Sequence, residues 1–379
     1  MKRGVLIAAT LLVASFSTFL LAELGLRVSY ALRDKSPPHS DRSTAEEWRW
    51  AKEHLEAGAA VLADSVAHFV YHPGLGWITR PGQDREGVRT NSVGMRSAVE
   101  FGLERVPGRP RILFVGDSYT FGQGVSNHET FQSVLARDDL QGWEVMNFGV
   151  SGFGAGQMLL LFEQVGASYR PDVVVLGFFE RGFLRTQLRF RGYSKPYFML
   201  SDGKLELFGT PVIAPEELYR LYEKGERRYG GWNHSYVAAE IGRTITRNFS
   251  DLDVTREGPV WQLIAAILAR FDRSVREAGA QPFLLIITDR PGSTRRERLY
   301  QRLNDLAQEE AAELGLPVLS LRAALSEEVA STIHRPREIG GHLSVRGHEL
   351  VAQHLAAALV RMPPLKTNSA PASGPRSQQ

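Results

Sequence analysis

From Arg111 onward, apolar runs of strand length alternate with segments of helical pattern, and this constrains the fold more than any other feature of the chain. Such alternation is the signature of a parallel sheet covered by helices. The runs fall at Ile112–Val115, Val145–Phe148, Val173–Phe178, Phe283–Ile287 and Val318–Leu321. Helices are expected at Thr130–Ala136, Gly156–Gly166, Val260–Ala278, Thr294–Leu314 and Arg346–Arg361, several ending at or just before glycine. The expectation is an α/β domain of three layers, α/β/α, over residues 106–361.

Between Arg185 and Pro259 the alternation breaks into a long insertion, at about 186–259. It contains a hairpin-like stretch from Pro196 to Pro211 with Asp202 and Gly203 at its turn. Insertions of this kind near a site often form lids or substrate walls.

Ahead of the domain, Lys2 and Arg3 precede an uncharged run from Gly4 to Ala22, followed by Glu23 and Arg27. That is roughly the length needed to cross a bilayer as a helix. A retained signal anchor over 1–27 is favoured over a cleaved signal peptide, because Leu20 and Ala22 make a poor cleavage pair. The positive-inside bias then puts everything after the helix outside the cytoplasm, in the periplasm if the source is bacterial. Residues 28–105 read as a stalk and an N-terminal extension. Pro37 and Pro38 stiffen the stalk, a helix is expected from Thr44 to Leu62, and a small β-hairpin element lies around His72–Trp77 and Thr90–Arg96. Residues 362–379 read as a disordered tail.

Composition enters mainly by exclusion. With 43% hydrophobic and 23% charged residues the chain is an ordinary globular sequence, and its net charge of +3 comes from scattered charges, giving no footprint for nucleic acid. The absence of cysteine removes disulfides, thiolate catalysis and Cys-ligated zinc. The ten histidines show no ligand-like pairing with acids, so neither metal nor cofactor is expected.

Three elements could carry chemistry. Gly116, Asp117 and Ser118 follow the first buried strand, where open α/β sheets bind ligands. By itself the triplet is equally an ordinary turn and cap. Asn147 to Gly154 is glycine-rich and again sits between strand and helix, so its N–H groups can approach a developing oxyanion. A plain turn is one rival reading. Another is a dinucleotide fingerprint using Gly152, Gly154 and Gly156 with Glu180 as a ribose ligand, although the spacing lacks the final offset. Gly341 to His348 leads into the last helix. His342 could act there as a base for a serine or simply be a loop histidine, and His348 reads as structural.

In order and placement, the three elements resemble the GDSL-type (SGNH) hydrolases, over roughly Arg111 to Ala358. The resemblance implies a flavodoxin-like sheet, Ser118 as nucleophile and one oxyanion donor, the Gly152 N–H as another, and His342 as the catalytic histidine. The segments Leu75–Trp77, Thr90–Gly94 and Lys195–Pro196 look like those of membrane-anchored members.

Two departures stand out. Where the family carries Gly-x-Asn-Asp, this chain reads Gly177 Phe178 Phe179 Glu180 Arg181, placing Arg181 near the slot of the Asn donor. The acid expected two or three residues before the histidine is absent, and Glu338 is the nearest carboxylate.

The functional expectation is an ester hydrolase acting on O-acyl groups of envelope or extracellular polysaccharide, or on lipid esters. The alternatives are a degenerate domain serving carbohydrate binding or assembly, and an O-acetyltransferase. A dinucleotide oxidoreductase ranks below these. Protein partners cannot be read from the sequence.

Overall fold

The computed structural model describes residues 2–32, 68–189, 194–223, 235, 237, 254–288, 295–326 and 341–362. The expected stalk and Thr44–Leu62 helix, Glu338, the tail from residue 363 and much of the insertion lie outside the described residues.

Five strands form the central sheet: β5 (Arg111–Gly116), β6 (Glu144–Gly149), β7 (Val173–Phe179), β10 (Gln281–Ile287) and β11 (Val318–Ser320). They pair in parallel in the spatial order β11-β10-β7-β5-β6. Numbered by their own sequence order this is 5-4-3-1-2, the flavodoxin-like arrangement read from the other edge, with its switch point between β5 and β7. β5 and β7 are buried at every position, as strands covered on both faces must be.

One apolar cluster packs α4 (Ala155–Gln164), α6 (Pro259–Glu277) and α7 (Arg295–Leu314) on one face, around Phe162, Trp261, Phe271 and Leu303. A second packs α3 (Phe131–Asp138) and α9 (Val345–Leu359) on the other, around Phe114, Phe131 and Leu355. These two clusters make the three layers.

The extension before the sheet contributes two antiparallel pairs, β1 (Phe69–His72) with β2 (Gly76–Thr79) and β3 (Asp84–Arg85) with β4 (Val88–Arg89). The insertion contributes the hairpin β8 (Tyr197–Ser201) and β9 (Lys204–Phe208), with Asp202 and Gly203 at positive φ in its turn. A short α5 (Pro215–Glu223) follows.

Helix α1 runs Lys2–Leu32 and is apolar without a polar face. Its Leu11, Val13, Phe16 and Leu21 are 62%, 66%, 65% and 71% exposed. Among the described residues, no helix is long and apolar enough to cross a membrane. The transmembrane helix expected over 1–27 starts on side chains outside the described residues, so it has no structural support.

Candidate active site

The site begins with a steric feature of the sheet. Gly116, Gly149 and Gly177 stand side by side at the carboxyl ends of β5, β6 and β7, since Gly116 is in register with both of the others. A Cβ on Gly116 would lie 2.0 Å from Thr120 Oγ1 and 2.5 Å from the Gly177 carbonyl oxygen, and one on Gly149 would lie 2.3 Å from the Phe121 nitrogen. This glycine row lets the next turn of chain settle directly onto the sheet end.

That turn is α2 (Ser118–Phe121), a helix of only 4 residues. So short a helix cannot hold itself, and its termini are satisfied from outside. Asp117 is the N-cap, its Oδ1 accepting from the Tyr119 N–H at 3.0 Å. At the other end the Thr120 carbonyl accepts from Gln132 Nε2 at 2.8 Å and Asn147 Nδ2 at 3.1 Å. Arg96, from the extension, donates to the carbonyls of Phe121, Gly122 and Val125. Burial draws the Arg96 guanidinium down to about 10, with Glu129 opposing the shift.

Substituting Gly116 by alanine is therefore expected to destabilise the protein by about 2–4 kcal/mol and to depress activity with it. A urea titration beside an esterase assay checks this. An unchanged midpoint would mean that α2 is not seated as described.

His342 lies in the loop entering α9, whose N-cap is Ser344. Its Nε2 is 3.0 Å from Ser118 Oγ. Tyr119 buttresses the loop: its hydroxyl donates to the Gly341 carbonyl at 3.2 Å, its ring lies 4.9 Å from that of His342, and it also stacks on Phe179 at 3.8 Å. Residues 118 and 342, far apart in the chain, thus meet above the sheet end, with a histidine nitrogen placed to take the serine proton.

Gly152 sits in the turn after β6 at φ +89°, a conformation that side chains other than glycine rarely adopt. Trp77 Nε1 holds the same turn by donating to the Ser151 carbonyl at 3.0 Å, and the Trp77 ring packs edge-on against Phe153 at 5.4 Å. The dinucleotide rival has no counterpart in this geometry. Gly156 is buried where a Cβ would be 2.9 Å from the Phe198 ring, and Glu180 is 5% exposed and accepts from Asn304 Nδ2 at 3.4 Å. Arg181 lies in the 3-10 helix Glu180–Gln187, but its side chain and the whole of Glu338 are outside the described residues.

Among the described side chains, Arg185 is brought to Asp117, its Nη1 donating to Asp117 Oδ2 at 3.0 Å. The sequence does not single out Arg185 or Arg96 as site residues; it offers a cap at Gly116–Ser118 and marks Leu75–Trp77 only by resemblance. The turn-and-glycine segment Thr90–Arg96 was a visible signal for Arg96, whereas nothing local distinguished Arg185.

His348 is buried on α9, and its Nδ1 accepts from the Phe131 N–H at 3.3 Å, a role open only to the neutral ring. Burial first, then the charges of Arg96 and His342, lower it to about 3. The unfolded chain binds this proton below about pH 6.5 while the native chain does not until about pH 3, so stability is lost as pH falls through that window. The slope is about 1 kcal/mol per pH unit. A His348→Gln variant is expected to show a flatter acid limb in denaturation midpoints from pH 6.5 to 4, and an unchanged limb would remove His348 from the acid response.

A serine thus has a histidine nitrogen at hydrogen-bond distance on the carboxyl edge of a flavodoxin-like sheet, an arrangement with the geometry that nucleophilic serine chemistry requires. No family model and no curated protein matches the chain. Solved structures to which it is similar are GDSL-type hydrolases and esterases. They include a lipase/acylhydrolase from Enterococcus faecalis, 18% identical over 67% of this chain and 94% of that one, with a TM-score of 0.38. A catalytic mutant of an acetylxylan esterase from Geobacillus stearothermophilus is 13% identical over 68% and 96%, with a TM-score of 0.41. A member of the lipolytic G-D-S-L family from Veillonella parvula is 13% identical over 66% and 99%, with a TM-score of 0.40.

Proposed function

We propose that the chain is a serine ester hydrolase of the GDSL type. The observation that carries this reading is the 3.0 Å approach of His342 Nε2 to Ser118 Oγ. In the mechanism, His342 takes the Ser118 proton as Oγ attacks the ester carbonyl, and the N–H groups of Ser118 and Gly152 receive the tetrahedral oxyanion. His342 then returns the proton to the departing alcohol. Water, activated by the same ring, cleaves the acyl-enzyme and releases the acid.

The substrate class proposed is an O-acyl ester on an envelope or extracellular polysaccharide, or a lipid ester, presented outside the cytoplasm to a membrane-anchored enzyme. One sequence feature supports the anchor: the uncharged run Gly4–Ala22, roughly the length that crosses a bilayer as a helix.

The test is made on the full chain in detergent. The chain is expected to turn over p-nitrophenyl acetate and to be labelled stoichiometrically by a fluorophosphonate at Ser118. Absence of both would sink the hydrolase reading.

A further inference from the structure

Asp117 is 0% exposed, and a carboxylate so placed is costly unless it is paired. Its Oδ1 is used by the Tyr119 N–H of the nucleophile turn, and its Oδ2 receives Arg185 Nη1 at 3.0 Å. The same Nη1 lies 3.4 Å from the Phe153 carbonyl oxygen, in the turn that carries Gly152.

The 3-10 helix bearing Arg185 is pressed against that turn. A Cβ on Gly154 would meet the Arg185 carbonyl carbon and the Thr186 nitrogen, each at 3.0 Å. Its position is fixed from the insertion as well, because Lys195, 4% exposed, donates through Nζ to the Arg185 carbonyl at 3.0 Å. One guanidinium therefore spans the two turns proposed to supply the oxyanion donors.

We propose that Arg185 is a positioning residue that locks the Asp117–Ser118 turn to the Gly152 turn, so that two backbone donors from separate strand ends converge on one oxygen. The assignment rests on the hydrolase reading and deepens it. Donors fixed in advance avoid reorganisation as charge develops, so a lock of this kind acts on the transition state more than on ground-state binding. Arg185→Met is expected to lower kcat per labelled serine by about 10- to 100-fold while KM stays within about twofold. Lysine keeps the charge but not the fork, so Arg185→Lys is expected to recover only part of the loss. In an Asp117→Asn background the Arg185→Met step is expected to cost much less, because no buried carboxylate is then deprived of its cation.

The experiment measures kcat and KM for p-nitrophenyl acetate in the full chain, Arg185→Met, Arg185→Lys, Asp117→Asn and the Met/Asn double variant, each normalised to fluorophosphonate-labelled serine. Normalisation removes molecules that failed to fold, so a merely structural role would lower the labelled fraction and leave kcat per labelled serine unchanged. That result, or equal cost of Arg185→Met in both backgrounds, overturns the assignment while the hydrolase reading stands. A parent chain that neither labels nor turns over ester overturns both.

Discussion

Replacing Ser118 by alanine is expected to reduce p-nitrophenyl acetate turnover by about 10⁴-fold or more, and His342→Ala by a comparable factor, with both proteins still folded. The reason is geometric. In the proposed mechanism the Oγ–Nε2 contact acts as one unit, so loss of either atom would remove the attack or the proton transfer that permits it. The two losses are not additive, and the double variant is expected to be no slower than either single one by more than about tenfold. Ser118 is 5% exposed at the first residue of a capped turn, so removing one oxygen leaves little cavity and near-native stability. Kinetics beside a thermal melt make the check. Residual turnover unchanged from the parent in either variant would dissociate the Ser118–His342 pair from catalysis.

The largest expected effect on stability comes from Arg96→Met. The guanidinium is 5% exposed, lies 4.7 Å from the Phe121 ring centroid, and donates through Nε to Asn127 Oδ1 at 3.1 Å besides its three carbonyl partners. Methionine can keep much of the packing but supplies no donor, leaving the Phe121 carbonyl with only the long bond from Asn147 Nδ2 at 3.3 Å, the Gly122 carbonyl with that from the Val125 N–H at 3.4 Å, and the Val125 carbonyl without Arg96. Each buried acceptor left unmet costs about 1–3 kcal/mol. With partial relaxation and entry of water, the net loss is expected to be about 3–5 kcal/mol. It is expected to appear as a lower denaturant midpoint accompanied by loss of activity, because the released end of α2 is one turn from Ser118. Arg96→Lys is expected to recover less than half, since one ammonium cannot reach three carbonyls and Asn127 together. An Arg96→Met protein with the parent's midpoint would show that the extension does not clamp the nucleophile turn.

The sheet was legible because its signal is local and repeated. Residues 112–115, 145–148, 173–178 and 283–287 are mostly apolar in runs too short for helices, and each appears as a largely buried strand within a residue or two of the expected ends. The hairpin turn at Asp202 and Gly203 was equally plain, because positive φ has few residue types to choose from. Residues 118 and 342 could be singled out because strand-to-helix turns at one sheet edge are where such chemistry is placed.

The counter-ion of Asp117 was not legible. A lone arginine in a basic, glycine-bearing segment carries no periodicity, and Arg181 is as plausible by sequence as Arg185. Arg185 reaches Asp117 through the course of the 3-10 helix after β7, where Phe183 packs against Phe178 and Lys195 holds the Arg185 carbonyl.

By itself, then, the sequence determined the alternation of strands and helices and the glycines at the strand ends, because each is written in adjacent residues, and it made Ser118 and His342 candidates only through the order and placement of their segments. Only the tertiary structure decided that Gly116, Gly149 and Gly177 form one row, that Arg96 and Trp77 from the extension brace the Ser118 and Gly152 turns, and that Arg185 joins those turns. Each of these depends on strand register and layer packing, which bring together residues whose separation along the chain carries no local signal.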